Sequence, residues 1–82
     1  MTFDYVSANK LAVQTINDIS EAMPSPKIFK LVKGKASEIK SLIEAAETKA
    51  DRALRNKDMT GLNAALAEYK RYWLEAIKLF SV

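Results

Sequence analysis

The chain has 82 residues, of which 49% are apolar, and 13 Lys and Arg against 10 Asp and Glu leave a net charge of +3, with no cysteine and no histidine. These figures exclude more than one small domain, any disulfide or thiolate metal site, and catalysis through imidazole, the commonest general base and metal ligand. A chain of this length buries roughly 60–65% of the surface that its unfolded form exposes, so a monomer is marginally stable and self-association would help it.

Residues 1–10, MTFDYVSANK, place Asp4 where a secretory leader carries basic residues. No apolar run approaches the ~18 residues of a membrane span. A soluble, cytoplasmic protein is therefore expected. With only two glycines and two prolines, and with alanine, leucine, lysine and glutamate plentiful, the composition predicts helix over most of the length.

The first helix is predicted over about residues 4–22. Tyr5, Ala8, Ala12, Ile16, Ile19 and Met23 form one stripe flanked by Leu11 and Ala22, while Lys10, Gln14, Asn17, Asp18 and Glu21 occupy the other side. Thr2 and Asp4 are candidate N-caps. The Pro24-Ser25-Pro26 corner then stops this helix, because Pro24 disfavours the helical region at Met23. Ser25 followed by Pro26 at the first helical position starts the next one.

The second helix is predicted over 26–55. Its apolar series of Phe29, Val32, Ala36, Ile39, Ile43, Ala46, Ala50 and Ala53 makes a heptad seam, widened by Ile28, Leu42 and Leu54. Gly34 is its weak point and a place for a bend. At about 1.5 Å per residue this helix would reach roughly 45 Å, against about 30 Å for its neighbours, so it either bends or projects.

In the second corner, RNKDMTG, Asn56 tolerates the left-handed conformation that ends helices, and Asp58 or Thr60 can cap the third helix. That helix, about 60–80, puts Leu62, Leu66, Tyr69, Trp73, Ala76, Ile77 and Phe80 on one face. Short connections make consecutive helices antiparallel. The expected fold is a single all-α domain over residues 1–82. It is an up-down-up three-helix bundle, or a long helical hairpin that dimerises.

The carboxylates sit mainly on polar faces within three or four residues of a lysine or arginine, as Asp51 does with Arg55. Neither a clustered cation loop nor a glycine-rich phosphate loop occurs. A non-enzyme without catalytic residues, cofactor or metal is expected. In EYKRYW, residues 68–73, the aromatic rings fall on the apolar face and the cations elsewhere, which favours core packing over base stacking.

Two surfaces remain as candidates. On the third helix Ala65, Tyr72 and Leu79 repeat every seven residues, with Leu74 to one side, so the apolar arc exceeds what one neighbouring helix covers. This row is the expected partner interface of a protein–protein interaction module that self-associates as a homodimer. The second candidate is the lysine-rich start of the second helix. Residues 24–41 carry Lys27, Lys30, Lys33, Lys35 and Lys40 against Glu38, a net of +4, whereas residues 1–23 carry Lys10 against Asp4, Asp18 and Glu21, a net of −2.

Cations in the first turns oppose the helix macrodipole. An anion would reverse that cost, so weak nucleic-acid binding is the alternative function. Asp18 and Glu21, just across the corner, are the expected internal partners of these lysines, and the stem of Lys35 is expected along the apolar seam.

Overall fold

A computed structural model describes residues 3–80. Among them are four helices and no strand: α1 Tyr5–Ala22, α2 Pro26–Gly34, α3 Glu38–Arg55 and α4 Met59–Phe80.

Asp4 starts α1. Its Oδ1 accepts hydrogen bonds from the Val6 and Ser7 backbone N–H groups at 3.0 and 3.2 Å, and its Oδ2 accepts from the Ser7 hydroxyl at 2.6 Å. These contacts satisfy two of the donors that a helix start leaves open. The Ser7 hydroxyl and backbone N–H together hold the Asp4 carboxyl below its ordinary pKa. Met23, extended ahead of Pro24, ends the helix. Ser25 then caps α2 through the Lys27 N–H, with Pro26 in the first turn.

The expected helix over 26–55 is interrupted. Lys35 is extended, at φ −104° and ψ 122°, and Ser37 at φ −160° caps α3 by accepting from the Lys40 N–H at 3.2 Å. Glu38, in the first turn, adds the negative charge that this terminus favours. Gly34 itself is not the device, since it is helical and has no positive φ. The break also resolves the length mismatch: α2 closes one end of the bundle, and only α3 runs its length.

The α3–α4 corner is a Schellman turn. The Asp58 N–H donates to the Ala53 carbonyl at 2.8 Å and the Lys57 N–H to the Leu54 carbonyl at 3.1 Å. Lys57, at φ 56°, and not Asn56, takes the left-handed conformation. Asp58 then accepts from the Gly61 N–H at 2.9 Å. A Cβ at Gly61 would run into that carboxylate, so the glycine keeps the cap in place.

The three other helices pack chiefly on α4. At one end Ile19, Ile28, Val32, Ile39, Ile43, Trp73, Ala76 and Ile77 form a core cluster; at the other, Ala8 meets Ala53, Leu62 and Leu66. The chain positions in these clusters make α1 and α4 run in one direction and α3 in the other. This is the up-down-up order of an all-α bundle, 46 × 23 × 15 Å overall. In α2 it is Ile28 and Val32 that turn inward, while Phe29 of the expected seam stays exposed, as does Ala36 in the break that follows. In α1 Thr15 enters the core with its hydroxyl donated to the Leu11 carbonyl at 2.8 Å, and Tyr5 and Ile16 of the expected stripe face outward.

A candidate docking groove between α1, α2 and α4

The break after Gly34 lets α2 swing across the end of α1, and the two helices leave an apolar groove of about 410 Å³ above α4. Ile16, Ile19 and Met23 form the α1 wall, Phe29 and Lys30 the α2 wall, and Tyr69 and Trp73 the floor. Trp73 is only 1% exposed. The Phe29 ring stacks on it at 5.4 Å with 1° between the planes, and Tyr69 meets it edge-on at 6.5 Å. These are favoured aromatic geometries, which fix the floor. The buried Trp73 indole N–H has no hydrogen-bond partner among the described residues, an arrangement that costs about 1–3 kcal/mol.

Lys30 is the one cationic side chain at the groove. Neither it nor Lys27 nor Lys35 makes an ion pair among the described residues. Lys33 pairs with Glu47 at 3.8 Å, and Lys40 with Glu44, one turn along α3, at 4.0 Å. Lys27, Lys30 and Lys33 thus lie on α2, Lys35 in the break and Lys40 on α3, and of the five only Lys33 and Lys40 make ion pairs among the described residues. Lys35 is exposed at the break and does not lie along a continuous seam.

The expected internal partners also lie elsewhere. Asp18 receives the Lys70 ammonium of α4 at 3.0 Å and the Gln14 amide at 2.8 Å, and these donors hold its carboxyl below the usual range. Glu21 makes no ion pair among the described residues.

The row expected on α4 is distributed differently. Ala65 is 3% exposed, inside the bundle. Tyr72 and Leu74 are half-buried against the core, and the Arg71 guanidinium lies 5.1 Å from the centre of the Tyr72 ring. Leu79, 66% exposed, is the one member that stands open. The larger exposed apolar surface belongs instead to α1 and α2, through Val6, Val13, Ile16 and Phe29. The pattern of α1 carried a signal for this, since its apolar residues span more of the helix than one neighbour covers.

Among the described residues no group of acidic side chains gathers that could hold a metal ion, and no helix is long and apolar enough to cross a membrane. Comparison with protein-family models, with curated proteins and with solved structures finds no match to this chain.

Proposed function

We propose that the chain is a non-enzymatic helical interaction module, an adaptor, chaperone-like subunit or regulator of the cytoplasm, that presents apolar helix faces to protein partners, itself included. The observation that carries this reading is the open groove with an aromatic floor, continuous with the exposed Ile16 and Phe29. A concave apolar site with a single charged group at its edge suits recognition of an apolar segment. The ionisable groups support the same reading. The carboxyls with shifted pKa values, Asp4 and Asp18, are lowered by hydrogen bonds at the surface, whereas a proton-transferring acid is typically raised by burial.

The test uses tagged wild type and Ile16→Glu, a substitution at an exposed position that leaves helix content intact. A protein held in stoichiometric amount by the wild type and lost by the variant is purified and returned to the free chain. Trp73 is the one tryptophan, so occupation of the groove shifts its emission. Equal recovery on both baits, with emission unchanged, sinks the reading.

A nucleic-acid accessory role is the second reading, favoured by the absence of ion pairs at Lys27, Lys30 and Lys35 among the described residues. It requires binding of DNA or RNA at low salt that weakens steeply as salt rises and is lost when these three lysines become glutamine. No binding at low salt ends it.

A further inference from the structure

At about 100° per residue, Tyr5, Val6, Asn9, Val13, Ile16 and Ser20 share an arc of α1 that carries no charged side chain. All six are exposed, Tyr5 and Val6 at 57% and 64%, Val13 and Ile16 at 47% and 56%. The strip runs about 22 Å along the helix and enters the groove at Ile16 and Ser20. Such a surface is long and narrow, the footprint of a helix. The charged neighbours on its outer edge are Lys10 and Glu21, both exposed and without an ion pair among the described residues.

We infer that this strip is a two-fold interface that receives α1 of a second copy of the chain, antiparallel, in the register where facing residue numbers add to 29. The inference deepens the interaction-module reading and rests on it. In this register Val13 faces the partner's Ile16 near the axis, Asn9 faces the partner's Ser20, and Val6 faces the partner's Met23 at the end of the groove. Apolar thus meets apolar, and an amide meets a hydroxyl. A two-fold axis perpendicular to both helices brings the same edge of each together. Lys10 then lies two residues, about 3 Å along the axis, from the level of the partner's Glu21, within reach of an ion pair on either side of the axis. In a parallel two-fold pair the axis runs along the helices and the two charged edges fall on opposite sides, so Lys10 would find no Glu21 of the partner. The spacing of one cation and one anion on the strip's edge selects a copy of the chain as occupant, because the strip carries its own complement.

The full chain is studied by sedimentation from 1 to about 200 μM, beside variants whose helical spectra are checked. The expected result is a concentration-dependent dimer with a micromolar dissociation constant, and a folded monomer for Val13→Glu with Ile16→Glu. Lys10→Glu and Glu21→Lys should each weaken the dimer about tenfold, and the combined variant should recover most of the loss. The chain has no cysteine, so introduced ones are unique. Asn9→Cys and Ser20→Cys should each fail to cross-link alone with a short bis-maleimide and should cross-link when mixed.

A dimer that survives the double glutamate variant, or Asn9→Cys cross-linking to itself, overturns this interface while leaving the interaction-module reading standing. A monomer throughout the range overturns it as well, and the reading is then decided by the Ile16→Glu capture.

Discussion

Lys57 is a lysine in a place that the backbone reserves for glycine. Its φ of 56° lies in the left-handed region, and the two hydrogen bonds that close the α3 terminus depend on that conformation. A residue with a β-carbon sits there at a cost of about 1–2 kcal/mol, and Lys57→Gly removes it. Glycine returns about 0.5–1 kcal/mol through its greater freedom in the unfolded chain. The net gain is about 0.5–1 kcal/mol. For a domain of 60–100 residues, 1 kcal/mol moves the melting temperature by about 4–8 °C, so a rise of about 2–8 °C is expected. Lys57→Ala is the control, because it removes the same ammonium from the helix C-terminus while keeping the β-carbon. The decisive quantity is therefore glycine against alanine in thermal melts followed by circular dichroism. Equal melting temperatures for the two variants would refute the left-handed assignment and the energetics built on it.

Gly34→Ala should stabilise by about 0.5–1 kcal/mol, since the position is helical and an added methyl group meets nothing within 4 Å; a loss in urea titration would mean that the break begins earlier. Trp73→Ala should cost about 3–5 kcal/mol, but Trp73→Phe much less, because it also removes the orphaned indole N–H; equal losses in chemical denaturation would show that the N–H is satisfied. The folded-state pKa values of Asp4 and Asp18 are depressed, so the stability they contribute is present above the unfolded value near pH 4 and disappears as pH falls through it toward the folded values. The melting temperature should thus be level from pH 5 to 8 and fall below pH 4, with a shallower fall in Asp18→Asn. The same acid slope in both proteins would remove Asp18 from that account.

The parts of the fold that were legible in the sequence are those decided within a few residues. Asp4, the Pro-Ser-Pro corner and the inward face of α4 depend on caps, proline sterics and one helical period. The break at Lys35–Ser37 was hidden because the apolar series runs through it in phase, with Ala36 filling the seam position that the bend then turns outward. Ser37 followed by Glu38 was the local signal for a new start. In α1 two adjacent apolar arcs competed, and a helical wheel alone does not say which one faces α4. Ala8, Thr15 and Ile19 took the inside, and Tyr5 and Ile16 were left out. The groove was beyond local reading for a further reason. Ile16, Phe29 and Trp73 meet only once three helices have packed.

The arrangement of three helices around α4 also orders the way the molecule comes together. The α3–α4 hairpin closes across a corner of a few residues, so its contacts form fast and cost little loop entropy. The seat of α1 waits for partners far along the chain, as the Asp18–Lys70 contact does across 52 positions. An opening that kept the hairpin and released the first helix would leave an apolar trough along α4. That trough offers the first helix of another molecule the same contacts as its own, with the tethered helix favoured by its effective concentration, so exchange would require concentrated solution and an opened bundle.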